Sequence, residues 1–188
     1  MIHRFLSGLA VILTLGSLSS CDQDSAPKTD AETKTSSQLP SDVPCALSLR
    51  VESDGGSAYR MIGHLNFHHG SYVISPTDSA GMKGKFQIHL GDSVLFTNEA
   101  ITEWPPSSQE LEYFQQVQIQ VARNPTMYAM PFEVLSDSDF ETSGHALFVL
   151  EPSCIAYILE FQLIQKEGNL TFTSSELQEA DPQILDQQ

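Results

Sequence analysis

The chain has 188 residues, with 24 Asp and Glu against 9 Lys and Arg, for a formal net charge of −15. So acidic a balance argues against a nucleic-acid partner and against electrostatic adhesion to anionic lipid headgroups, both of which need clustered cations. Three cysteines and one tryptophan are the rare residues, and each falls at an informative place.

At the N-terminus, Arg4 with His3 precedes an apolar stretch from Phe5 to Leu15, and Leu18-Ser19-Ser20-Cys21 closes it. These are the basic, apolar and cleavage regions of a secretory signal. The stretch is shorter than the roughly 20 residues a helix needs to cross a bilayer. The segment resembles the signal of bacterial lipoproteins. That resemblance implies cleavage after Ser20, acylation of Cys21, and a mature chain held on a cell-envelope membrane facing out of the cytoplasm. Acyl chains bury methylenes at about 0.8 kcal/mol each, so no transmembrane helix is needed for anchoring. Asp22 after the cysteine is similar to an inner-membrane retention signal, while Asp22 with Asp24 is similar to sorting signals of other bacteria; the choice of membrane stays open.

Residues 1–20 are thus read as signal peptide and 21–42 as a lipidated, flexible linker. Asp22 to Ser41 is almost devoid of apolar residues, so it cannot bury enough surface to offset its ordering entropy. As a flexible coil its ends lie about 25 Å apart. Once the signal is removed, the remainder is long enough for one modest domain and too short for two of ordinary size.

From 43 to 173 the dominant pattern is alternation with period two, the mark of half-buried strands. Leu47, Leu49 and Val51 alternate with Ser48, Arg50 and Glu52, and Asp54-Gly55-Gly56-Ser57 then turns the chain toward a strand beginning near Tyr59. Further strands are expected at Tyr72 to Ile74, Phe86 to Leu90, Val94 to Thr97, Val117 to Val121, Tyr128 to Leu135, Ala146 to Leu150, Ile155 to Leu163 and Leu170 to Thr173. Lys166-Glu167-Gly168-Asn169 turns the last pair into a hairpin. Trp104 to Gln109, with Pro105-Pro106, reads as an exposed connection because consecutive prolines remove ladder donors, and Glu110 to Phe114 reads as one helical turn. The acidic residues 174–188 read as a frayed tail or a short peripheral helix. Many short strands without an amphipathic helix predict an all-β, antiparallel, immunoglobulin-like sandwich, with a small barrel as the alternative.

Cys45 and Cys154 remain once Cys21 is acylated. Outside the cytoplasm such a pair is expected to be oxidised. A bridge would close a loop of about 109 positions and stabilise the fold by about 4–5 kcal/mol in the chain-entropy account. Two separate thiols and a redox-active pair are the alternatives. The run Tyr72-Val73-Ile74-Ser75-Pro76, the proline-rich connection, and Gly144 leading to Pro152-Ser153-Cys154 resemble the periplasmic N-terminal domain of transmembrane thiol:disulfide interchange reductases. The resemblance implies an immunoglobulin-like sandwich that passes electrons through two nearby cysteines. Only Cys154 falls in the corresponding stretch, so it implies the fold more than the activity.

The remaining chemistry is sparse. His64, His68, His69, His89 and His145, with Met61, Met82, Met127 and Met130, form an imidazole and thioether set suited to copper, although their spacing matches no motif and surface histidines are the simpler reading. Asp137-Ser138-Asp139 with Glu141 lacks the glycine and terminal glutamate of a calcium loop and reads as a solvated turn. Asn169-Leu170-Thr171 matches a glycosylation acceptor only formally. No nucleophile elbow, zinc-protease helix or phosphate loop occurs. Trp104 is the candidate partner contact, its alternative being packing over an open end of the sandwich. The expected protein is a lipid-anchored, non-catalytic binding or accessory module without a cofactor, with an envelope protein as its possible partner; the rivals are a thiol-exchange partner using Cys154 and Cys45 and a copper-binding module.

Overall fold

A computed structural model describes residues 39–187, apart from 92, 98, 99, 113 and 114. The signal segment 1–20, the acylation candidate Cys21 and the linker as far as 38 lie outside the described residues. The end of the expected linker is docked: Val43 N donates to Pro40 O at 3.0 Å, and Pro40 O also meets His68 Nε2 at 3.2 Å.

The expected alternation is realised as strands. In chain order these are β1 (Cys45–Gly55), β2 (Ala58–Phe67), β3 (Val73–Ile74), β4 (Gln87–Leu90), β5 (Leu95–Phe96), β6 (Thr102–Trp104), β7 (Ser108–Glu112), β8 (Val117–Ala122), β9 (Thr126–Val134), β10 (Phe140–Leu150), β11 (Ile155–Lys166), β12 (Asn169–Ser174) and β13 (Gln178–Glu179). A 3-10 helix, Pro182–Gln187, follows, so the acidic C-terminus contributes a short strand on β11 as well as the expected helix. Every strand pairing is antiparallel.

One sheet runs β1-β2-β9-β5, with β6 also pairing β9; another runs β12-β11-β10-β4, with β13 also on β11. With β1, β2, β4, β5, β9, β10 and β11 taken as strands A to G, the two sheets are A-B-E-D and G-F-C. That is the constant-type immunoglobulin connectivity, with β12 added beyond G. The third sheet, β3-β8-β7, comes from insertions between B and C and between D and E.

The inner faces of the two main sheets meet in one core. Leu47, Leu49, Met61, Leu65, Tyr128 and Phe132 from the first sheet pack with Ile88, Phe148, Tyr157, Leu159, Phe161 and Leu163 from the second. Immunoglobulin domains of antibodies pin this layer with a B–F disulfide. Here aromatic rings occupy it: Phe86 stacks on Tyr128 at 3.7 Å between centroids, and on Phe148 at 6.1 Å, which in turn meets Tyr157 at 5.6 Å. Such pairs each add about 0.5–1.5 kcal/mol beyond the area they bury.

Two local expectations are corrected. Glu110 to Phe114 is not a helical turn in its described part: residues 108–112 form β7, in register with β8 from Ser108↔Val121 to Glu112↔Val117. The charged Glu110 is half-buried because Arg123 grips it in two hydrogen bonds of 2.5 Å, while Leu111 is exposed. The stretch from Trp104 onward is likewise less of a loop than its prolines suggest, since Trp104 ends β6 and pairs with Met127.

Candidate functional site

Register decides which polar side chains share a face. His89 of β4 lies opposite His145 of β10, and His145 lies opposite Glu160 of β11. Because side chains alternate between faces, all three point away from the core, whose contributions from the same strands are Ile88, Ala146 and Leu159. The result is one row of two imidazoles and a carboxylate across three adjacent strands, at the floor of an outer groove of about 560 Å³. Ser143, Gln162, Thr173 and Ser175 add hydrogen-bonding groups to the lining.

The two imidazoles stack with centroids 4.8 Å apart and planes 28° from parallel. His89 Nε2 lies 2.7 Å from Gln87 Oε1, so Nε2–H donates to the amide oxygen and the lone pair stays on Nδ1. Partial desolvation holds both imidazoles below the ordinary histidine range; the charge of His89 lowers His145 further, and Glu160 offsets part of that. Both rings are therefore neutral near pH 7.

Close backbone approach holds this row in place. A Cβ on Gly144, the residue before His145, would run into the His89 carbonyl oxygen and the Phe161 ring. Gly144 thus lets β4 and β10 pair tightly where the two histidines meet, and Phe161 fills the space beneath.

The sequence candidates fall elsewhere. Cys45 and Cys154 are both free thiols, one buried at the start of β1 and the other exposed in the turn between β10 and β11, so the expected bridge is not formed. Burial pushes the Cys45 thiol up to about 12. Cys154 sits in the left-handed region at φ 53°, and its Sγ donates to Glu151 Oε2 at 3.2 Å, an interaction that raises its pKa. Neither thiol has the depressed pKa of a reactive cysteine.

Trp104 is 67% exposed, so its ring is not packed over an open end of the sandwich. It stands in a row with Met127 and His64 on the outer face of the first sheet, by the pairings Trp104↔Met127 and His64↔Met127. The imidazole and thioether set as a whole is not gathered: Met61 and Met130 are core residues, and His68 is turned to Pro40. Among the described residues, no group of three or more His, Cys, Asp and Glu side chains is gathered to hold a metal ion. In the acidic turn, Asp139 Oδ1 accepts from Glu167 N at 2.9 Å, so this carboxylate ties the crossover from β9 to β10 to the β11–β12 hairpin turn.

A second polar cluster is partly buried, at positions that no local pattern singles out. Ser75, fully buried, donates to Glu103 Oε1 at 2.8 Å and shares a hydrogen bond of the same length with Thr77. Ser107 N also donates to Glu103 Oε1, at 3.2 Å. Glu103 Oε2 and the Tyr128 hydroxyl are buried without a hydrogen-bond partner, and burial with the nearby Glu103 charge raises the Tyr128 pKa. Nearby, Asp78 Oδ1 and Oδ2 accept from Gln120 N and Ala80 N at 2.9 and 3.0 Å, which fixes the B–C insertion onto β8.

Fold and groove together define an all-β sandwich of immunoglobulin connectivity with a polar, histidine-bearing outer face. No family model matches the chain, and no curated protein matches it.

Proposed function

We propose that the protein is a cell-envelope lipoprotein, anchored through acylated Cys21, whose β-sandwich is a non-catalytic binding or accessory module. The observation that carries this reading is the open groove on the C-F-G face, where His145, Glu160 and Gln162 offer hydrogen-bonding groups on rigid strands. Binding groups held on strands are positioned more firmly than groups on loops. The exposed Trp104 supplies a second contact point on the opposite sheet. The net charge of −15 leaves the acyl chains as the means of membrane attachment and makes a nucleic-acid partner unfavourable. Thiol exchange is the weaker reading, because burial raises Cys45 and Glu151 raises Cys154, and both shifts reduce the thiolate fraction.

Two measurements test the proposal. Cells fed an alkyne-tagged palmitate are expected to label the wild-type chain and to carry it in the membrane fraction, while Cys21→Ala loses both the label and the sedimentation. A photo-crosslinking side chain at Gln162 is expected to capture a discrete envelope component that the same group at Arg50, on the other sheet, does not. An unlabelled wild type overturns the anchor, and identical crosslinks from the two positions overturn the groove as the binding face.

A further inference from the structure

We propose that His89 and His145 form a surface chelate for a divalent transition metal of the imidazole-preferring kind, Cu²⁺ or Zn²⁺, with water completing the coordination. The two residues are cross-strand partners, so their Cβ atoms stand about 4.5–5.5 Å apart on one face. Tetrahedral Zn²⁺ at metal–nitrogen distances of about 2.0–2.1 Å asks for ligating nitrogens about 3.3 Å apart, and tetragonal Cu²⁺ asks for cis nitrogens about 2.8 Å apart. The rings are already stacked at 4.8 Å between centroids, and a chelate turns them edge-on to the ion about their side-chain bonds.

Three further features suit a ligand pair. The Nε2–H of His89 is engaged by Gln87 Oε1 at 2.7 Å, the outer-shell arrangement that fixes a metal-binding imidazole in one tautomer with Nδ1 free to ligate. Glu160, the next residue in the row, places a carboxylate beside His145, where it attracts a cation. The groove above leaves room for the ion's waters. Copper is the preferred probe, since imidazole sites follow the order in which Cu²⁺ binds more tightly than Zn²⁺.

The inference uses the geometry of the groove alone. Failure of the crosslinking experiment leaves it standing, and its own failure leaves the groove available to a partner.

The test is titration with Cu²⁺ of the chain from residue 22, which lacks the Met1-Ile2-His3 chelate and Cys21, carrying Cys154→Ser so that no accessible thiol binds or reduces the ion, in a non-chelating buffer at pH 7.5, read by calorimetry and by the imidazole proton resonances. One equivalent is expected to bind, with paramagnetic broadening at His89 and His145 ahead of His64, His68 and His69. His89→Gln and His145→Gln are each expected to weaken binding more than about tenfold, and Gln87→Leu by about tenfold through loss of the tautomer-fixing bond. Absence of one-to-one uptake overturns the proposal, as does broadening that begins at other histidines. So does an affinity unchanged in the double variant His89→Gln/His145→Gln. The broadening pattern is read on this chain with all of its histidines native, so the result does not depend on whether a histidine variant folds.

Discussion

Phe86 and Tyr128 lie almost parallel, 9° apart with centroids at 3.7 Å, and join the two sheets of the sandwich at its centre. Phe86 immediately precedes strand C, and Tyr128 is the third residue of strand E. Both are fully buried. The contact occupies the layer that an inter-sheet disulfide occupies in antibody domains.

Phe86→Ala is therefore expected to destabilise the domain by about 3–5 kcal/mol, through lost transfer energy and the cavity left between Tyr128 and Phe148. Urea unfolding checks this, and a loss below about 1 kcal/mol would show that the aromatic layer is not what holds the sheets together.

The thiols should behave as two unequal, unpaired groups. In Cys21→Ser, which removes the remaining cysteine, a maleimide is expected to modify Cys154 in the native protein and Cys45 only after unfolding. Glu151→Gln is expected to speed the Cys154 reaction, because it removes the carboxylate that raises that thiol. Mass spectrometry of the alkylated protein counts the products, and a native protein with no reactive thiol would mean that the two are bridged.

Acid should weaken the fold through the histidine row. His89 and His145 have folded pKa values below their ordinary 6.5, so the unfolded chain binds more protons as the pH falls through that value. Their contribution is fully present above about pH 6.5 and is lost on the way down to their folded pKa values. Denaturant midpoints between pH 8 and pH 5 are expected to fall, and His145→Gln is expected to fall less steeply. Equal slopes in the two proteins would show that the pair is not desolvated in solution.

Gly144→Ala is expected to cost about 1–3 kcal/mol, because its new methyl meets the His89 carbonyl and the Phe161 ring, and neither can retreat without opening the β4–β10 pairing. Gly168→Ala, with open space around it, is the comparison: its cost comes from the left-handed φ of 77° and is expected to stay near about 1 kcal/mol. Thermal melting of both variants separates crowding from backbone strain.

The strands of the fold were legible because burial alternates along them, as in β1, where Cys45, Leu47 and Leu49 are core residues and Ser48 and Arg50 face water. β7 was misread because its pattern is inverted: an ion pair with Arg123 draws Glu110 inward and leaves Leu111 outside, so polarity misreports the face. The histidine pair was visible only as two members of a scattered set. What joins His89 to His145 is a register between strands more than fifty positions apart, and no local pattern encodes it. Trp104 could be singled out from its proline-rich surroundings, whereas its neighbours Met127 and His64 again follow from pairing.

Strand β1 lies at the edge of its sheet, with β2 on one side and, among the described residues, no strand paired on the other. An open ladder of 11 residues is a template on which a second copy could continue the sheet. Its solvent side carries Arg50, Glu52 and Asp54, and its register breaks between Ser53 and Gly55. Charged rims and an interrupted ladder make poor templates, so this edge is an unfavourable place for a second copy to extend the sheet.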